Sequence, residues 1–388
     1  MKYPRLLSAA CVALLSQNVS ATIALSTGAK QAGLAGGGVA HPEDSTWVKL
    51  NPAGLVGMKE RLDYSFEYLR PHNEIFADSP GLTNTADGTI EDTGNLFFPH
   101  VSYVKPLDEK SAFGAMLFVN SGYSTEYSAA RSVPGRVGGY DRGLDYSSFK
   151  LALTYAYQLE NGWQVGFGPN LNYARVRTDM LTSTGPTSGD NEWDDSYGAG
   201  FQFAVYKKWD KLSFGSAFTS RQWFSTFDKY TDVVNHPLDM PNILQTGFAY
   251  ELTDSVVMTV DWQFLQWSDV KASNTDVHEG GFGWEDHNIY KMGFIWQASE
   301  QLSLRTAYSY GETPIQEDAI FVNAHAPIII EHYVSLGAGY KVNENWEFNL
   351  AYIHGFENTE ADEGILGAAG TEVTAEVDIV NFGVSYVF

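Results

Sequence analysis

Three basic side chains stand out by where they fall. Lys150, Lys291 and Arg305 each interrupt a stretch in which apolar residues recur at every second position. Around Lys150 the run is Phe149, Leu151, Leu153, Tyr155 and Tyr157, with Lys150, Ala152, Thr154 and Ala156 between them. Successive side chains of an extended chain point to opposite faces, so the three cations belong to the face opposite the apolar set. In a low-dielectric enclosure such a cation binds a carboxylate through a charge-assisted hydrogen bond. The same parity supplies Asp63, Glu67 and Asp261 as internal acids, which would satisfy the cations without any ligand. Covalent chemistry has no comparable signal. The sequence carries no nucleophile elbow, no zinc helix motif and no pair of catalytic carboxylates. His332 with Ser335, and His354, are the only hydrolytic candidates worth naming, and their spacing is not distinctive. We therefore expect no enzyme activity, no cofactor and no metal site; His278 and His287 flank the acids of 268–286, but spacing alone is weak evidence for a transition-metal site.

The elements that hold these residues follow from composition and period. The chain has 388 residues, 24 Lys and Arg against 47 Asp and Glu, and a formal charge of −23. That balance excludes a nucleic-acid binder, which needs a basic face. No stretch beyond residue 21 offers ~18 consecutive apolar residues, so helical membrane spans are excluded. The 22 Tyr, 23 Phe and 10 Trp argue equally against disorder. From Arg61 onward the dominant period is two. Alternating segments read near 61–68, 97–105, 111–120, 149–157, 163–176, 197–205, 212–219, 243–252, 256–267, 287–297, 302–310, 332–340, 346–354 and 374–388. This makes an all-β chain of about fourteen strands.

The connections choose between a soluble sandwich and a membrane barrel. Short turns at 106–110, 159–162, 207–211, 253–255, 298–301 and 341–345 alternate with long polar stretches at 70–96, 121–145, 177–195, 220–241, 268–286, 311–331 and 355–373. Outer-membrane barrels have this asymmetry, with short periplasmic turns and long extracellular loops. Closure is also required, because lipid satisfies no open strand edge. Trp163, Trp209 and Trp346 at short turns, with Tyr250 and Tyr340 beside them, suit an interfacial belt. Val380, Phe382, Val384, Tyr386 and Phe388 form one face of a last strand ending on an aromatic residue. That ending is similar to the signature read by the bacterial barrel-assembly machinery. The acids of loops 268–286 and 355–373 read as solvated, with divalent-cation bridging to lipopolysaccharide as the alternative.

The N-terminal part is different. Lys2 and Arg5, the apolar run Leu6–Leu15 and the small residues Val19-Ser20-Ala21 predict a signal peptide over 1–21. The sole cysteine, Cys11, lies inside it, so the mature chain has no thiol chemistry. Residues 22–60 lack strand alternation and are rich in small residues. They predict a segment folded into the barrel lumen, with 61–388 forming the barrel. The run Gly36-Gly37-Gly38-Val39-Ala40, then Asp44-Ser45-Thr46 and Asn51-Pro52-Ala53-Gly54, resembles the N-terminal hatch of FadL-type outer-membrane transporters. Asp261-Trp262-Gln263, Gln266-Trp267-Ser268 and His332-Tyr333-Val334-Ser335-Leu336-Gly337 look similar too. The mature start, Thr22-Ile23-Ala24-Leu25, departs from the family's fatty-acid members.

The resemblance implies a fourteen-stranded barrel plugged by its N-terminus. It also implies a monomer in the outer membrane of a Gram-negative bacterium, contacting lipid and lipopolysaccharide and assembled by the barrel machinery. Its expected function is passive uptake of hydrophobic compounds, long-chain fatty acids first. Capture by loops 70–96 and 121–145, through residues such as Ile75, Phe76, Leu82, Val133 and Val137, would precede a lumenal pocket and hatch movement. Uptake of aromatic or aliphatic hydrocarbons in the same fold is the alternative. A hydrophilic porin stands further off, and a lipid hydrolase further still. Lys150, Lys291 and Arg305 are the expected carboxylate contacts. The expected hatch residues are Gly36, Gly37, Gly38, Asp44, Asn51, Pro52 and Ala53.

Overall fold

Alternation becomes structure because lipid and lumen make opposite demands on neighbouring residues. The computed structural model describes residues 22–23, 27–77, 89–92, 94–127, 142–178, 181–182, 185–186, 192–231, 236–324, 326–363 and 370–388. The expected signal peptide, 1–21, lies outside them, as do Leu82, Val133 and Val137. Fourteen long antiparallel strands close into a barrel. They are β1 (Arg61–Ala77), β2 (Leu96–Asp108), β3 (Ser111–Tyr127), β4 (Arg142–Gln158), β5 (Gln164–Thr178), β6 (Asp194–Trp209) and β7 (Leu212–Thr219). Then follow β8 (Asn242–Thr253), β9 (Val256–Gln266), β10 (His287–Gln297), β11 (Leu302–Tyr310), β12 (His332–Lys341), β13 (Trp346–Ala361) and β14 (Thr371–Val387). Each pairs with its chain neighbour, and β14 pairs with β1 from Val387↔Arg61 to Thr371↔Ala77, which closes the sheet on itself as lipid requires.

The two faces sort as parity requires. On β13, Trp346, Phe348, Leu350 and Tyr352 are exposed while Glu347, Asn349, Ala351 and Ile353 are buried. Trp163 and Trp209 meet edge to face at 5.7 Å beside the short turns, and Trp346 lies 4.8 Å from Tyr386. Several strands run further than alternation indicates: β1 reaches Ala77, β3 Tyr127 and β13 Ala361. Beyond the lipid the outward face turns polar while inward Ile75 still joins the apolar cap, so the apolar set that marks the lipid face stops short of the strand ends. The long connections that are described are not loose. Trp267 and Trp284 cross at 4.7 Å, and the indole Nε1 of Trp284 donates to Asn323 Oδ1 at 2.7 Å. With Val270, Phe227, Tyr230, Ile315 and Ile320 they form an apolar cap over one end of the barrel.

Residues 27–60 lie against the inward side chains. They form α1 (Ala29–Ala32), α2 (Trp47–Leu50) and a 3-10 turn at Pro52–Leu55. Asn51 explains the local fold: its Oδ1 accepts from Ala53 N at 3.1 Å and caps the turn that Pro52 begins. Its Nδ2 donates to Val39 O at 2.9 Å and to Val205 O on β6 at 3.2 Å. Asp44 Oδ1 accepts from Thr46 N at 2.9 Å, fixing the entry to α2. The wall gives way where the segment touches it. A Cβ on Gly166 of β5 would sit 2.5 Å from Ala53 N, and one on Gly337 of β12 2.9 Å from the Cα of Gly33.

Candidate functional site

Gly38 has a φ of 91°, a left-handed backbone that favours glycine, and it aims two successive amides at one acid. Gly38 N and Val39 N donate to the carboxylate of Asp261 on β9, at 2.8 and 2.9 Å. A Cβ on Gly37 would lie 2.9 Å from the same carboxylate. The glycine run therefore serves as an anion-binding backbone concavity filled by the barrel's own acid. Further ties cross between segment and wall. Lys30 meets Glu347 at 2.9 Å, Arg305 meets Glu43 at 2.5 Å, and Ser45 N donates to Asp63 Oδ2 at 3.0 Å. Burial opposes the charge of Glu43, but Arg305 and Lys30 outweigh it and hold the carboxyl at about 2. Burial and the charge of Asp63 push Asp44 up instead.

Between this segment and the apolar cap lies a cavity with about 1340 Å³ of empty space, including its opening to solvent. Apolar lining comes from Leu50, Met240, Ile243, Leu265, Ile289, Ile328, Ile330 and Tyr333. Three ammonium groups join it, Lys150 on β4, Lys291 on β10 and Lys49 on α2, together with the carboxyls of Glu331 and Glu376. Lys49 and Lys150 lie over the same Phe118 ring, 5.5 and 5.8 Å from its centroid. Lys291 donates to Gly36 O at 3.0 Å and to Gln263 Oε1 at 2.8 Å. Burial lowers the Lys49 ammonium to about 7, with Glu67 opposing the shift and Lys291 adding to it.

The three sequence-derived cations all point inward and are buried. The structure divides them, however. Lys150 and Lys291 line the cavity, whereas Arg305 is engaged by Glu43 of the segment. Its partner is none of the three wall acids that parity suggested. Lys49 escaped the sequence reading because one turn of helix has no alternation; the available signal was a single lysine between Val48 and Leu50, just before Asn51-Pro52. The hydrolytic candidates separate. Ser335 Oγ donates inward to Gly33 O at 3.0 Å, while His332, three residues away on the other face, meets the Tyr308 hydroxyl at 2.6 Å. His354 meets Asp378 at 3.0 Å.

Among the described residues, the pairing of β2 with β3 is interrupted beside the cavity. β2 and β3 pair from their turn only as far as Val101↔Leu117, although both strands continue. Leu96–Pro99 pairs only with β1 among the described residues, and β3 shifts register against β4 around Asn120, which lines the cavity. Thr22–Ile23 takes the freed edge of β3 at Ser121 and Gly122.

A fourteen-stranded barrel with a cavity beneath its long connections invites comparison with known proteins. Residues 10–388 match the family described as outer membrane protein transport protein (OMPP1/FadL/TodX). The chain belongs to this family. The long-chain fatty acid transport protein of Escherichia coli K12 is 23% identical over 388 residues, covering 83% of this chain and 84% of that one. Outer membrane protein P1 of Haemophilus influenzae is 22% identical over 340 residues, covering 73% and 72%. The crystal structure of the Pseudomonas putida toluene transporter TodX superposes with a TM-score of 0.73 at 17% identity, over 96% of this chain and 100% of that one. The chain is thus an outer-membrane barrel of a Gram-negative bacterium, in a FadL/TodX-type family of hydrophobic-compound transporters.

Proposed function

We propose that the protein admits amphipathic acids, long-chain fatty acids above all, passively across the outer membrane, and that residues 27–60 act as its hatch. The observation that carries this reading is the set of ammonium groups at Lys49, Lys150 and Lys291, which outnumber the carboxyls of Glu331 and Glu376, around a cavity whose accessible surface is mostly apolar. A bare hydrocarbon gives such groups nothing to bind, whereas a carboxylate bonds them and its alkyl chain covers the apolar lining. The ligand enters beneath the cap, rests with its head at Lys150 and Lys291, and leaves sideways where β2 and β3 part. Movement of the hatch frees that route, since Thr22–Ile23 occupies the edge and Lys49 rides on α2. Downhill movement of ligand needs no energy source.

Binding of laurate and of toluene to the detergent-solubilised protein tests the reading, alongside mass spectrometry of co-purifying molecules. Laurate should bind and be displaced by oleate, with toluene a weak competitor. Tight toluene binding with no laurate binding would transfer the assignment to aromatic hydrocarbons. Rapid swelling of liposomes in small sugars by the wild type would favour an open porin instead.

A further inference from the structure

The outer surface of β5 carries a second site. Its lipid-facing side chains run, from the short-turn end, through Phe167 and Leu171, both half exposed, to Tyr173, Arg175 and Arg177. Trp163 stands just before the strand, in the aromatic pair with Trp209. From Trp163 to Tyr173 the strand climbs ten residues, ~34 Å of chain, or ~24 Å of membrane depth at a tilt of ~45°. That matches the ~25 Å apolar band of such barrels, so Arg175 is the first cation past the band on the long-loop side.

The surroundings of Arg175 leave its guanidinium unclaimed. The group stacks on Trp193 at 4.2 Å, and Arg177 shares the ring at 4.9 Å. Arg177 is paired with Asp145 at 2.6 Å. Asp195 lies directly across the β5–β6 ladder from Arg175, but it accepts from the Tyr173 hydroxyl at 2.6 Å. Lys229 Nζ takes Glu192 at 2.8 Å, and its backbone amide takes Asp194 at 2.7 Å. Arg175 Nε is buried without a hydrogen-bond partner, and Arg175 makes no ion pair among the described residues, so capture falls to its two terminal nitrogens. A planar fork held flat on an indole suits bidentate capture of a phosphate. At this depth of the outer leaflet, the phosphates available are those of lipopolysaccharide.

We propose that Arg175, braced by Trp193, binds a phosphate of the lipid A moiety of lipopolysaccharide from the lipid side of the barrel. The site is separate from the lumen and does not depend on which ligand the cavity takes. Its test uses the full mature chain, Arg175→Gln, Trp193→Leu and the opposite-rim control Lys341→Gln, each delipidated and returned to phosphatidylcholine vesicles. The vesicles contain bisphosphorylated lipid A, dephosphorylated lipid A, or inorganic phosphate alone, and retained lipid is read by native mass spectrometry. Heat-shifted gel mobility verifies that every variant is folded. Wild type and Lys341→Gln should retain the phosphorylated lipid about tenfold over the dephosphorylated one, and both site variants should lose that preference. Equal retention by wild type and Arg175→Gln, or no preference between the two lipids, would overturn the site. Equal binding of inorganic phosphate alone would overturn the lipid as its source.

Discussion

The two halves of the lumen treat charge differently. Near the short turns, cations and acids cross between segment and wall in close pairs, Lys30 with Glu347 and Arg305 with Glu43, while Arg61 pairs with Asp63 within the wall, beside Ser45. Beneath the long connections, Lys150 makes no ion pair among the described residues, and Lys291 is held by neutral oxygens. One half spends its charges on holding the segment, and the other keeps ammonium groups facing a cavity. Burying an isolated cation costs several kcal/mol unless something compensates it. An unpaired group is therefore informative about ligands, whereas a paired one is informative about structure.

Breaking the paired half should give the largest effect. Arg305→Met leaves Glu43 charged and buried, at an expected cost of about 3–5 kcal/mol. Amide exchange over 27–58 should rise, with most of the loss recovered in the Arg305→Met/Glu43→Gln double variant. Unaltered exchange in the single variant would contradict the pairing. Gly166→Val attacks the same half sterically, because its Cβ would meet Ala53 N at 2.5 Å. Overpacking of this kind costs about 1–3 kcal/mol, and sugar-driven liposome swelling should appear as the segment lifts.

The cavity half is tested by ligand. Lys150→Met should weaken laurate about tenfold while leaving dodecanol unchanged, the loss of one charged hydrogen bond. Arg305→Ala should affect both ligands alike, through the segment. Equal losses of laurate and dodecanol in Lys150→Met would break the contrast between the halves. A smaller effect should come with pH. Lys49 gives up its proton near 7, so laurate binding should weaken several-fold between about pH 6 and 8, and Lys49→Met should flatten that profile. The paired half responds at acid pH instead. Glu43 titrates at about 2 rather than its usual 4.5, so its contribution is complete above 4.5 and is lost as pH falls towards 2. Glu43→Gln should remove that acid-sensitive part of segment stability.

The barrel was legible because lipid on one side and a polar lumen on the other impose a period of two on every strand they bound. Inward placement of Lys150, Lys291 and Arg305 followed from that parity alone. Two kinds of feature were not legible. The partner of Arg305 comes from the irregular segment, where no period tells which way Glu43 faces. The apolar cap is built by Phe227, Trp267, Trp284 and Ile315, which meet only after three separate connections fold over the same opening. Strand ends beyond the lipid were short in the sequence reading because their outward face is no longer apolar, although inward Ile75 and Val373 are buried under the cap.

Asp261 reaches back 223 residues to Gly38, and Lys30 forward 317 to Glu347. Residues 27–60 thus precede in the chain the strands they dock on, so their contacts wait for strands made long afterwards. During that interval their glycines and buried ionic groups must wait in water, uncommitted.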